Sequence, residues 1–266
     1  MLELLEQLFR QVRAYVHSER LDRGQVYFQS AEHTTMQFDR EAEDIIISGL
    51  IESHYGFEII TEERATFTTA PSPTYRIVMD PIDGSANVQQ GIMTAGVAMA
   101  VLPIEAPVLP ENVQWSLVGE LFSGVVYQAQ RGGGAFLNGR RCQVSETTNL
   151  ADCVAGFNMD SRDRSIIQKL AIDEPPIAKI RRTGSSAMDV VYVASGAYDA
   201  YIDVGNIITG ESFLASLHIV LEAGGVVSDE AGKPLRPITD LKETYSLVVA
   251  NSEQLHQQLL SRIQAS

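Results

Sequence analysis

Asp80-Pro81-Ile82-Asp83-Gly84-Ser85-Ala86-Asn87 closes an apolar run, Tyr75-Arg76-Ile77-Val78-Met79, that reads as a buried strand. Two carboxylates three positions apart at the end of such a strand repel each other. Either one keeps its proton or a cation sits between them. Gly84 and Ser85 follow where a helix begins, and they offer backbone N–H groups and a hydroxyl to an anion. The stretch therefore suits a divalent cation with a phosphate beside it. Asp, Pro and Gly also build ordinary turns, so taken alone it leaves a plain strand exit open.

Upstream of it, Leu2, Leu5, Leu8, Phe9, Val12 and Val16 recur at helical spacing over the first sixteen residues. Residues 20–35 lack periodicity and read as a connection. A second helix is expected from about Asp39 to Tyr55, with Ala42, Ile45, Ile46, Gly49 and Leu50 on its inner face. Asp39 lies at its start, where a carboxylate is favoured by the helix dipole or serves simply as a cap. Phe57–Ile60 reads as a short strand with Thr61-Glu62-Glu63 at its end, and residues 65–74 as a polar, proline-bearing loop. Downstream, 94–102 is an apolar strand and 103–113 a surface excursion. Residues 117–127 and 134–144 read as strands joined by the Arg131–Gly134 turn.

The second half alternates. Strand 154–157, helix 162–171, strand 178–182, helix 185–194 and strand 200–204 lead to a helix from Ser212 to Ala223, ended by Gly224-Gly225. Strands 226–227 and 246–250 and a helix over 252–264 complete the chain. The expected fold class is α/β: residues 1–150 form helices plus a largely antiparallel sheet, and residues 151–266 an α/β half packed closely on them as one unit.

The chain of 266 residues is 45% hydrophobic and carries a net charge of −14. That balance argues against nucleic-acid binding, which needs basic surface. No apolar run reaches membrane-spanning length, and acids occupy the N-terminus where a signal peptide carries bases, so a cytoplasmic location is the default expectation. Cys142 and Cys153 have no metal-binding or redox spacing. An anionic substrate would be repelled at long range and would need local cations.

Asp39, Glu62, Asp80 and Asp83 are acids at strand ends or a helix start, and their order, with Gly-Ser after the pair, resembles the inositol monophosphatase family of Mg²⁺-dependent phosphatases. Asp80–Asn87 is similar to the family's Asp-Pro-[Ile/Leu]-Asp-Gly-[Thr/Ser]-x-Asn motif, and Thr61-Glu62-Glu63 to its Gly-Glu-Glu. Arg131–Gly139 with Gln143-Val144-Ser145, Thr183–Ala187 and Glu222–Gly225 fall where the family has its glycine hairpin, substrate loop and C-terminal signature.

The resemblance implies a layered αβαβα sandwich and hydrolysis of a small phosphorylated substrate, an inositol phosphate or sugar phosphate. It implies one Mg²⁺ on Glu62, Asp80 and the carbonyl of Ile82, and a second on Asp80 and Asp83. It implies a water oriented by Ser85 with Glu62 or Asp39, phosphate contacts from Asp83, Gly84 and Ser85, and hydroxyl contacts from Gly184, Ser185 and Asp203. Read without it, Asp203 is equally an exposed strand-end acid. A homodimer is the family's default.

Two departures stand out. Where the family has a Trp-Asp pair upstream of Glu-Ala-Gly-Gly, this chain has Glu211-Ser212, so a serine replaces a metal-ligating aspartate and Glu211 is the available substitute. Met36 replaces a common Thr, which is expected to weaken the Asp39 arm. An alternative function follows from the first departure: a weakened or inactive member that binds a phospho-ligand or a regulatory partner.

Overall fold

The computed structural model describes residues 1–29, 34–159 and 164–265. Along the chain run α1 (Leu2–Val16), β1 (Val26–Gln29), β2 (Thr34–Met36), α2 (Gln37–Glu52), β3 (Phe57–Thr61), β4 (Arg64–Thr68), β5 (Tyr75–Asp83), α3 (Ser85–Gln90) and β6 (Gly96–Pro103). Next come β7 (Trp115–Glu120), β8 (Val126–Gln130), β9 (Gly134–Leu137), β10 (Arg140–Cys142), β11 (Val154–Phe157), α4 (Arg164–Ile167, continued as a π-turn to Ile172) and β12 (Lys179–Arg181). The chain closes with α5 (Ser186–Ala194), β13 (Ala200–Thr209), α6 (Gly210–Glu222), β14 (Val226–Ser228), β15 (Thr244–Ala250) and α7 (Glu253–Gln264).

An eight-stranded sheet, ordered β10-β9-β8-β7-β6-β5-β3-β4, faces a five-stranded sheet, β12-β11-β13-β15-β14. Three apolar layers hold these sheets. The amphipathic faces of α1 and α2 bury Leu5, Leu8, Phe9, Phe38, Ile46 and Leu50 against the outer face of the large sheet. Between the sheets, α5 and α6, buried on nearly every side, contribute Met188, Val190, Phe213 and Leu217. On the far face, α7 packs Leu255, Leu259 and Ile263 on β11, β13 and β15. The expected αβαβα sandwich is the architecture found.

Several boundaries differ from the sequence reading. The stretch 65–74 holds β4, whose alternating Arg64-Ala65-Thr66-Phe67-Thr68 pairs with β3. The apolar run at Tyr75 does not turn at Asp80 but continues as strand to Asp83, with an irregularity in its pairing to β6 between Asp80 and Asp83. The strand read over 117–127 is two strands, β7 and β8, and that over 134–144 is a hairpin. Its two-residue turn, Asn138-Gly139, has φ of 48° and 74°, the signature of a left-handed hairpin turn. Within the connection at 20–35, β1 pairs with β2; residues 30–33, like 160–163 ahead of α4, lie outside the described residues. Finally, β13 runs to Thr209. Its pairing with β15 passes from Asp203↔Leu247 to Ile208↔Tyr245, five steps on one strand against two on the other, and α6 starts at Gly210 rather than Ser212.

Candidate active site

The irregular end of β5 buries Asp80 and Asp83, which are 3% and 6% exposed. Asp80 Oδ1 accepts the N–H of Ile82 at 3.1 Å. Asp83 Oδ2 accepts the N–H of Ala187 at 2.8 Å and the hydroxyl of Ser185, so the start of α5 is fastened to this carboxylate. Gly84, at φ 100°, turns the chain into α3, whose first N–H groups have no partner within the helix. Asn87 then ties the loop before α5 to the same stretch: its Nδ2 donates to Thr94 O and to Thr183 O, both at 2.8 Å. Gly184 sits so close to that amide, at φ 86°, that a Cβ would lie 2.9 Å from it.

From α2, Asp39 reaches across to Ser85, whose hydroxyl donates to Asp39 Oδ1 at 2.6 Å. The other oxygen of Asp39 accepts the N–H of Met36 at 3.0 Å. Met36 thus supports the Asp39 arm through its backbone N–H, a contact that does not depend on its side chain. Ser85 Oγ also lies 2.9 Å from Ile82 O, but its one proton serves the shorter bond to the carboxylate.

Glu62 occupies the turn between β3 and β4. With Thr61, Thr209, Glu211, Ile238, Asp240 and Lys242 it lines a cavity of about 830 Å³. Thr209 donates its hydroxyl to Glu211 Oε1, and Glu211 is only 4% exposed. Ser212 Oγ reaches Asp80 Oδ2 at 3.5 Å. Positions 211 and 212 thus both border the acids: Ser212 brings a hydroxyl and Glu211 the carboxylate.

Burial and then the charges of Glu62, Asp83 and Glu211 drive Asp80 well above the carboxylate range. Asp83 is pushed up to about 7, mainly by burial, against the lowering hydrogen bonds from Ser185 and Ala187. Glu62 is also raised, by desolvation first and then by Glu211, Glu63, Asp39 and Asp83. As a residue Glu62 is open to solvent, which tempers its desolvation, so the crowding of charges is the firmer cause. Among the described residues no three acids close into a ready-made cage. The donors are nonetheless all hard oxygens, mutually destabilised as anions. This fits Mg²⁺, which is held by one or two carboxylates, several waters and substrate phosphate rather than by an all-protein cage.

The substrate-side residues are placed less openly. Ser185 is buried and its hydroxyl already serves Asp83. Asp203 is fully buried rather than an exposed strand-end acid, and accepts Asn158 Nδ2 at 2.9 Å and Tyr201 OH at 3.2 Å. Sequence reasoning missed Ala187, which acts through its backbone and leaves no side-chain signal. It also gave Asn87 no role, although an Asn two residues inside a helix that begins at Gly-Ser could have marked a tie to a neighbouring loop.

A model of the inositol monophosphatase family matches residues 2–266. The chain is 31% identical to a fructose-1,6-bisphosphatase/inositol-1-monophosphatase of Methanothermobacter thermautotrophicus over 99% of this chain and 95% of that one. It is 33% identical to a putative Nus factor SuhB of Neisseria meningitidis serogroup B, covering 83% and 81%. Among solved structures, an IMPase of Thermotoga maritima superimposes with a TM-score of 0.80 at 25% identity, covering 98% and 96%.

Proposed function

This chain belongs to the inositol monophosphatase family, and from that premise we propose that it hydrolyses a phosphate monoester of inositol or of a sugar with Mg²⁺ as cofactor. The observation that carries the reading is the convergence of four acids and the Ser85–Asp39 hydrogen bond on the start of α3. Glu62, Asp80, Asp83, the carbonyl of Ile82 and Glu211 would hold the metal, with Ser212 beside them as a neutral neighbour. Bound there, Mg²⁺ offsets the charge of the substrate phosphate and of the attacking and leaving oxygens.

The chain's own groups do the rest. Backbone N–H groups of Gly84 and Ser85 grip the phosphate. Asp39 takes the Ser85 proton into its hydrogen bond, which leaves the Ser85 oxygen as an acceptor for the attacking water. Glu62 supplies a second acceptor from the opposite turn, and together they aim the water's lone pair at phosphorus. Gly184 contacts the substrate through its backbone, while Ser185 and Asp203 position that loop and strand from behind. One observation favours a second reading, a phospho-ligand-binding regulator: the neutral Ser212 at a metal-ligating position.

Phosphate release from a panel of inositol and sugar phosphates, fructose bisphosphate included, titrated with Mg²⁺, decides between them. Turnover abolished by Asp83→Asn supports the enzyme. Binding of these phosphates without release at any Mg²⁺ concentration, for both the wild type and Ser212→Asp, supports the regulator and overturns the enzyme.

A further inference from the structure

Glu62 sits in a two-residue turn, Glu62-Glu63, between Thr61 and Arg64, which pair across it. Two-residue hairpin turns are normally set by residues that take positive φ, such as Asn-Gly. Here neither glutamate does: among the described residues only Asn138 and Asn206 are non-glycine residues at positive φ. The turn's own preference therefore does not fix where Glu62 points. The residues around it are fastened instead to one buried carboxylate on α2.

That carboxylate is Glu43, which is 0% exposed. Thr61, just before Glu62, donates its hydroxyl to Glu43 Oε1 at 2.8 Å. Arg64, two residues after it, donates Nε to Glu43 Oε2 and Nη2 to Asp44. Arg40 Nη1 donates to Glu43 Oε2 at 3.0 Å and to the carbonyl of Glu63 at 2.8 Å. The Glu63 side chain is held in turn by Thr35 Oγ1 at 2.5 Å. Thr61, Glu63 and Arg64 are thus all anchored, and Glu62 is the one residue of the turn left facing the acids. Glu43 lies one helical turn beyond Asp39, so a single helix fixes both the partner of Ser85 and the turn that carries Glu62.

We propose that Glu43, with Arg40, Arg64 and Thr61 as its donors, is a positioning residue that sets the aim of Glu62 at the metal. The inference rests on the phosphatase reading but concerns only how that site is held. A buried carboxylate shared by two guanidinium groups is expensive to disturb, because removing its charge leaves both cations without their buried counter-charge.

The test is Glu43→Gln in the full chain, with Mg²⁺ binding followed by calorimetry and by the Mg²⁺ dependence of phosphate release. The expected result is a Mg²⁺ dissociation constant and half-saturation raised about tenfold, the scale seen for groups that orient metal ligands, with kcat at saturating Mg²⁺ within about twofold of wild type. Thr61→Val keeps the ion pairs and removes one hydroxyl. It should shift Mg²⁺ affinity the same way by about threefold, and it carries the test if Glu43→Gln does not fold. A melting temperature lowered with unchanged Mg²⁺ affinity would show a merely structural role and overturn the proposal. A wild type that binds no Mg²⁺ would sink the phosphatase reading, and this inference with it.

Discussion

Glu211→Gln should make the metal-free protein more stable while weakening its hold on Mg²⁺. Glu211 faces Glu62, Asp80 and Asp83, and its charge adds to the rise in pKa of all three. Two like charges about 4 Å apart repel by about 4 kcal/mol at an effective dielectric constant of about 20. Proton uptake by the raised Glu62 and Asp80 relieves part of this, so about 1–2 kcal/mol of relief is expected at neutral pH. In a chain of this size that corresponds to a melting temperature higher by roughly 2–4 °C. Glutamine keeps the shape and can still accept from Thr209, so packing contributes little to the difference. With Mg²⁺ the sign reverses: a carboxylate is missing from the donor set, and the Mg²⁺ midpoint should rise by about tenfold or more. Thermal unfolding in EDTA and across a Mg²⁺ series reads both arms in one instrument. A variant less stable in EDTA, or one with an unchanged Mg²⁺ midpoint, would refute the placement of Glu211 among the metal-facing acids.

Gly184→Ala should cost about 3 kcal/mol in urea unfolding: about 1 for a side chain at positive φ and about 1 for each Asn87 hydrogen bond its Cβ disturbs. No loss of stability would contradict that close approach. Ser85→Ala should lower kcat about a hundredfold at saturating Mg²⁺, measured as phosphate release; equal kcat would remove Ser85 from the water-orienting pair. His218, buried with Nδ1 at 2.7 Å from Ser116 Oγ, has a pKa lowered to about 4, chiefly by burial. Between about 4 and 6.5 the unfolded chain binds the proton and the folded one does not, so stability is lost as pH falls through that window, by about 3 kcal/mol at about 1.4 per unit. In chemical unfolding across that range, His218→Gln should flatten this part of the profile.

Much of this architecture was legible because it follows from periodicity. The apolar spacing in α1 marks its inner face without reference to the fold, whereas α6, with Glu211, Ser212, Ser216, His218 and Glu222 among its apolar residues, is placed between the sheets only by the structure. The candidate site was legible where side chains carry it, at Asp39, Glu62, Asp80, Asp83 and Ser85, which the fold brings together. It was illegible where backbone does: Met36 binds Asp39 through an N–H, and Ala187 does the same for Asp83. The strand β4 was hidden because its alternation lies among threonines and prolines that also suit a loop. The helix start at Gly210 depends on how β13 pairs with β15, a long-range property that no local pattern encodes.

That pairing has a consequence for how such chains are compared. Three surplus residues, with Gly205 and Asn206 both at positive φ, give the end of β13 slack before α6 begins. Column by column, position 212 offers only a serine hydroxyl. In space a buried carboxylate stands one residue earlier, at Glu211, beside the same acids. Under the proposed function, the negative charge offered to a metal is kept by the volume it occupies rather than by a place in the alignment, and relatives with a similar bulge deserve to be read in three dimensions before they are set aside as inactive.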